Sequence, residues 1–171
     1  MDFEEIATID DLEQVSAEVI WQNFERLTGF ILEKNDFSIS VGIVKTSRKK
    51  RRQYDVIAWK NDRTLLVECK KWAGNYYRLS ALKKAVGQHK ERTGFYESLT
   101  GEDAVPVVVT LIEETVMVYD GVPLVPVTRL NAFLNELDRH ADGYSFDEYE
   151  DLPEDGAGGE EEPGGERYRY P

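Results

Sequence analysis

The chain has a single cysteine, Cys69, so no disulfide can close within it. That excludes the small secreted domains that depend on cross-links, and a reducing, cytoplasmic setting is expected. Histidine is nearly as scarce: His89 and His140 are the only two, and neither has a partner at zinc-ligand spacing. Long hydrophobic runs are absent too. The longest, such as Val105–Ile112, fall far short of the roughly 20 residues that span a bilayer, so no membrane partner is expected. The opening Met1-Asp2-Phe3-Glu4-Glu5 lacks the basic and apolar regions of a secretory signal. There is no internal repeat, no ATPase motif and no separate recognition domain.

What is abundant is acid. Lys and Arg number 21 against 33 Asp and Glu, for a formal net charge of −12. Such a surplus argues against a nucleic-acid partner until its distribution is read. Residues 1–44 carry −8, residues 93–141 carry −6 and residues 142–171 carry −9, whereas residues 45–92 carry +11. A basic block inside an acidic protein is a polyanion footprint, or else a solvated hairpin. Lys45, Arg48, Lys49, Lys50, Arg51 and Arg52 stand together with no acid between them, and Lys71 lies further along. They are the expected phosphate contacts if the partner is a nucleic acid.

With 171 residues the chain suits one compact domain plus a tail. Asp10-x-x-Glu13 is a capping box, and apolar residues from Leu12 to Ile31 recur at helical spacing to about Lys34. Glu18, Trp21 and Glu25 share the flank of that stripe. Phe37–Val44 alternates as a strand, and Lys45–Arg52 reads as a connection too charged for a core. Gln53–Trp59 and Thr64–Lys70 read as strands joined around Asn61-Asp62. Arg78–Leu99 reads as a helix with Leu79, Leu82, Val86 and Phe95 inward, which leaves His89 exposed. Val105–Leu111 has the β-branched continuity of a strand buried on both faces. Thr115–Tyr119 and Val122–Val127 flank the turn Asp120-Gly121, and Thr128 is the expected cap of a last helix. The order predicts an α/β fold with a central mixed sheet flanked by helices. Residues 1–141 form the expected domain. Residues 142–171, acidic and glycine-rich, are the expected disordered tail.

The hairpin carries a geometric consequence. If Asn61 and Asp62 are its turn, Lys60 faces Arg63, and Asp55 faces Glu68 by the same register, on one face of the sheet with Lys70. Facing carboxylates repel, and a divalent cation between them is one compensation; Mg²⁺ takes one or two such carboxylates and keeps several waters. A surface salt-bridge network of the three residues is the other reading. Cys69 alternates inward and reads as a core thiol. Trp72, Tyr76 and Tyr77 either stack on bases or cap the core.

Asp55, a short hairpin and then Val67-Glu68-Cys69-Lys70 resembles the Asp…Glu-x-Lys signature of the PD-(D/E)xK, or restriction endonuclease-like, nuclease superfamily. Upstream, Phe24-Glu25-Arg26 and Leu32-Glu33-Lys34-Asn35-Asp36-Phe37 resemble the first helix and strand of its Mrr-like restriction nucleases and archaeal Holliday-junction resolvases. The resemblance covers roughly Ala17 to Leu137. Asp36 stands where a glycine is common, and Tyr54 stands where proline or glycine often precedes the aspartate.

The resemblance implies the three-layer restriction endonuclease-like fold and metal-dependent phosphodiester hydrolysis. Asp55, Glu68 and the Cys69 carbonyl would hold Mg²⁺ (Mn²⁺ being the substitute). Glu25, with Glu18 as second choice, would orient water or a second ion. Lys70 would position the attacking water, and Gln88 would lie near the centre. The implied function is a DNA endonuclease acting as a homodimer, with a Holliday-junction resolvase or a catalytically idle nucleic-acid-binding module as alternatives. The spread of acid resembles that of archaeal, halophilic proteins; a tail that folds back on the basic block is the other expectation for it.

Overall fold

The computed structural model describes residues 23–71, 78–111, 116–139, 146 and 149–151. Helix α1 covers residues 23–34, so the first half of the predicted helix, with Glu18 and Trp21, lies outside the described residues, as do Trp72, Tyr76, Tyr77 and His140. The helix stops in a Schellman motif. The Phe37 N–H reaches the Leu32 carbonyl at 3.1 Å and the Asp36 N–H reaches Glu33 at 3.0 Å, with Asp36 at φ 65°. The position where a glycine is common is thus the left-handed residue of the helix end, which aspartate tolerates. Leu32 and Phe37, the apolar pair of that motif, are both buried.

Strands β1 (Ser38–Ser47), β2 (Lys50–Lys60) and β3 (Arg63–Lys70) form an antiparallel meander. The basic segment is not a connection: β1 and β2 run through it, paired as far as Ser47 and Lys50 around Arg48-Lys49. Charge excludes a segment from a core, but a strand pair open to solvent has no such bar. Helix α2 (Arg78–Thr100) then crosses to β4 (Val105–Thr110), which lies parallel to β3. Strands β5 (Met117–Tyr119) and β6 (Val122–Pro126) form a hairpin whose Asp120 and Gly121 take φ 49° and 73°, as a primed two-residue turn requires. A 3₁₀ turn, Val127–Arg129, leads into α3 (Leu130–Arg139), so Thr128 sits inside that turn instead of capping the helix.

The sheet order is β1-β2-β3-β4-β6-β5-β7, where β7 is Glu150–Asp151, parallel to β5. One face buries Val56, Ala58, Leu65, Val67, Val107 and Val109 under Phe24 and Leu32 of α1 and Leu130, Phe133, Leu134 and Leu137 of α3. The other buries Val108, Val122 and Leu124 under Leu82 and Val86 of α2, and Ile57 and Leu66 beside Tyr96. This is the expected three-layer α/β arrangement. Within the segment read as a tail, Phe146 stacks on Phe133 at 6.2 Å and the Tyr149 hydroxyl meets Glu136 at 2.5 Å.

Candidate active site

The β2–β3 ladder runs from Lys60↔Arg63, around a turn with Asn61 at φ 53°, to Val56↔Val67, and there it ends. Asp55 and Glu68 are the next positions in that register, but they do not form a cross-strand pair on one face. The Asp55 carboxylate turns toward β3, where Oδ2 accepts the Cys69 N–H at 2.8 Å. Alternation slips at the same place: Tyr54 and Ile57 both pack on the α2 side, while Val56 and Ala58 pack on the other. Opposite Asp55, the β1 ladder skips Gly42, which takes φ 66°. The hairpin therefore forks at Asp55, and the carboxylate takes over an acceptor role that a ladder carbonyl would otherwise fill.

Glu68 faces α2 and is only 3% exposed, far from a surface network. Burying a carboxylate costs several kcal/mol unless it is paired, and here both oxygens are. Lys70 Nζ lies 2.5 Å from Oε1, and Arg92 Nη1 of α2 bonds Oε2. His89 Nδ1 stands 4.0 Å from the same Oε2. Arg92 is placed by its own backbone, whose carbonyl accepts the Tyr54 hydroxyl at 2.8 Å. Burial pushes that phenol up to about 12, so it remains a donor.

His89 is 1% exposed, against the expectation of a surface residue. Its Nε2 is 2.7 Å from the Leu66 carbonyl, which can only accept, so Nε2 carries the proton. Burial holds its pKa below the ordinary range, leaving the neutral form with Nδ1 turned to Glu68 and without a hydrogen-bond partner among the described residues. The sequence alone marks His89 only as an exposed residue, and Arg92 does not stand out in it. The signal was spacing: Leu82, Val86, His89, Thr93 and Tyr96, at steps of four and three, are all buried on one stripe of α2. Gln88 falls off that stripe and is exposed.

Glu25 on α1 is half-buried, and its charge reaches Asp55. The Asp55 carboxyl is pushed up to about 6, chiefly by burial, then by Glu68 and Glu25, while the Cys69 N–H and Lys70 oppose the shift. The Cys69 thiol is raised by burial and donates weakly to Thr28 Oγ1 at 3.5 Å, as befits a core thiol. Lys71 lies over the Phe24 ring.

The basic block divides. Lys45 lies over the Tyr96 ring, and Arg52 binds Glu91 through two bonds, at 2.7 and 3.2 Å, both against α2. Arg48, Lys49, Lys50 and Arg51 are exposed at the end of the hairpin.

Against known proteins, the family model Mrr_cat, described as "Restriction endonuclease", matches residues 16–102, which include Glu25, Asp55, Glu68, Lys70 and Arg92. The chain belongs to this restriction endonuclease family. An "Uncharacterized protein" from Archaeoglobus fulgidus is 32% identical over 126 residues, covering 74% of this chain and 98% of the relative. Among solved structures, "Protein of Unknown Function AF1548" aligns with a TM-score of 0.41 at 15% identity, over 54% of this chain and 48% of its own. Protein VC1899 from Vibrio cholerae aligns at 0.44 and 13%, over 67% of this chain and 32% of its own. The chain thus spans about half and a third of those two lengths.

The donors of this family member suit a hard divalent cation. The Asp55 carboxyl is held up by burial and by two negative neighbours, a state that a cation would relieve, and Glu68 offers carboxylate oxygens of the type Mg²⁺ prefers. Among the described residues no cluster of three or more Asp, Glu, His or Cys side chains is close enough to hold a metal. Two carboxylates with a backbone carbonyl and waters are enough for Mg²⁺. No described helix is long and apolar enough to cross a membrane.

Proposed function

We propose that the chain is a divalent-metal-dependent DNA endonuclease, with Asp55, Glu68 and Lys70 at its centre. One observation carries this reading: the hairpin forks where Asp55 meets the Cys69 N–H, beside a buried Glu68 in contact with Lys70. A purely structural ion pair has no need of a second, half-buried carboxyl with a raised pKa next to it.

Mg²⁺ or Mn²⁺, held by Asp55, Glu68 and the Cys69 carbonyl, would supply Lewis-acid charge to a phosphate and its attacking water. Lys70, already in the site through Glu68, would orient that water and offset the negative charge of the pentavalent phosphate. Glu25, approaching from α1, would accept a hydrogen bond from the same water. Arg48–Arg51 would hold the DNA backbone, with Lys71 nearer the centre. Two copies would make a double-strand cut, each contributing one centre.

Purified protein with Mg²⁺ or Mn²⁺ should cut at least one of plain, methylated and four-way-junction DNA. Lys70→Ala should lower the rate by about 100-fold or more at temperatures where the variant is still folded, alongside a lower melting temperature from unpairing one oxygen of buried Glu68. The junction substrate separates a resolvase from a restriction-type enzyme. Equal rates for the variant and the wild type on every substrate would remove the catalytic assignment. A second reading, an idle binding module, is favoured by the occupation of both Glu68 oxygens by cations. DNA binding without any metal binding in calorimetry would select it.

A further inference from the structure

Glu68 does not wait open for a cation. It is buried, Lys70 holds one oxygen and Arg92 the other. Lys70 belongs to the reading proposed above, but Arg92 does not: it comes from α2, 24 residues along the chain from Glu68. Its side chain is 20% exposed, so it is largely enclosed but not sealed from solvent. Of its five N–H donors, one bonds Glu68, and no other acceptor engages the rest among the described residues. A planar fork with unspent donors is the geometry that grips a phosphate through two oxygens.

Two features fix the guanidinium where it is. The Tyr54 hydroxyl bonds the Arg92 carbonyl, tying this turn of α2 to the root of the forked hairpin. One turn earlier, His89 bonds the Leu66 carbonyl two residues before Glu68. Arg92 is therefore attached to both strands of the hairpin that carries Asp55 and Glu68. Its charge is set against Glu68 by the fold.

We propose that Arg92 is the internal counter-ion of the metal-free centre: it yields Glu68 Oε2 to the divalent cation and, once released, takes the scissile phosphate. This rests on the nuclease reading and adds a residue to it. Arginine and metal compete for one carboxylate oxygen, so each weakens the other's hold, and the coupling is reciprocal. The exchange keeps both oxygens of the buried carboxylate engaged at every stage, whereas a metal-free site lacking Arg92 would have Lys70 alone. It also brings a fresh cationic fork into the site only after the metal is seated. No bond is made or broken in this step beyond the ion pair.

The test is a calorimetric titration of the full-length, DNA-free protein with Mn²⁺. Arg92→Gln should bind Mn²⁺ about tenfold more tightly than the wild type, because the competitor is gone. It should also cut DNA more slowly and need more DNA for half-saturation. Arg92→Lys keeps the charge but loses the fork, and should bind Mn²⁺ about threefold more tightly, which keeps the test available if the glutamine variant does not fold without metal. Equal or weaker Mn²⁺ affinity in a folded variant would overturn the proposal. The two readings fail separately. Tighter Mn²⁺ binding without any DNA cleavage leaves the counter-ion in place and removes the nuclease. Cleavage that depends on Lys70, with Mn²⁺ affinity unmoved by Arg92, does the reverse.

Discussion

Asp55 is the residue whose protonation the fold alters most usefully. Its carboxyl sits at about 6, above the ordinary 3.8, because burial and two neighbouring acids disfavour the charge. A raised pKa means that the folded state binds the proton more tightly than the unfolded chain. Between about pH 4 and 6 the metal-free fold therefore loses stability as pH rises, and that loss persists above 6. Asn can still accept the Cys69 N–H but carries no charge. Asp55→Asn in EDTA should be more stable than the wild type at pH 7, by on the order of 1–3 kcal/mol, and no more stable at pH 3. His89 has the opposite sign: its lowered pKa costs stability as pH falls below its ordinary 6.5. That term is common to both proteins and cancels in their difference. Urea unfolding at a series of pH values measures it, and a difference that is flat with pH would remove the electrostatic account of Asp55.

At this scale the sequence brought Asp55, Glu68 and Lys70 to one end of the hairpin and left His89 and Arg92 out of the site. That end was legible because a hairpin register is arithmetic: fixing Asn61-Asp62 as the turn gives the register as far as Val56↔Val67, although Asp55 and Glu68 do not form the facing pair expected beyond it. The fork was not legible, since a strand that stops pairing has no signature in alternation until the slip between Tyr54 and Ile57 is seen. His89 and Arg92 were hidden for a different reason. Apolar periodicity marks a buried stripe by its apolar members, so His89 reads as a break in it and Arg92 as a solvated flank, while Gln88, named by the resemblance alone, is exposed.

Among the elements, the β1–β2 ribbon departs furthest from its sequence reading and sharpens the DNA-binding expectation. The block of six basic residues is not uniform, because alternation sends Lys45 and Arg52 to α2, where aromatic rings and Glu91 engage them. Arg48, Lys49, Lys50 and Arg51 are left exposed. Each cation that meets a DNA phosphate adds about 0.9 to the slope of log affinity against log salt. Changing the four exposed residues to Gln should therefore flatten the slope by about 3, with little effect on melting, as surface substitutions lie within roughly ±0.5 kcal/mol. Neutralising Lys45 and Arg52 instead should lower stability and move the slope much less. Fluorescence anisotropy on the Lys70→Ala background measures both without cleavage, and an unchanged slope in the first variant would assign the ribbon to solvation. The charge density was plain in the sequence; which cations were already engaged depended on a helix 39 to 51 residues downstream.

The whole molecule offers one centre per chain, while duplex DNA has two strands. The excess acid outside residues 45–92 makes copies of the chain repel one another at low salt, so association must come through specific contact or through the shared DNA. If two copies cut together, one active centre per strand is needed for a linear product, whereas a single active centre suffices for a nick. Mixing the wild type with an equal amount of Lys70→Ala chain, allowed to exchange, leaves about a quarter of the pairs with two active centres. Linear plasmid formed in the first turnover should fall to about that fraction, and nicked circles should rise. A single chain that makes both cuts in succession predicts a fall only in proportion to active chain, to about half, with no excess of nicked product. The quarter-to-half distinction can be read on one agarose gel at fixed total protein. A proportional fall there, together with a monomer mass on DNA by light scattering, would remove the dimer while leaving Asp55, Glu68 and Lys70 as the centre of each chain.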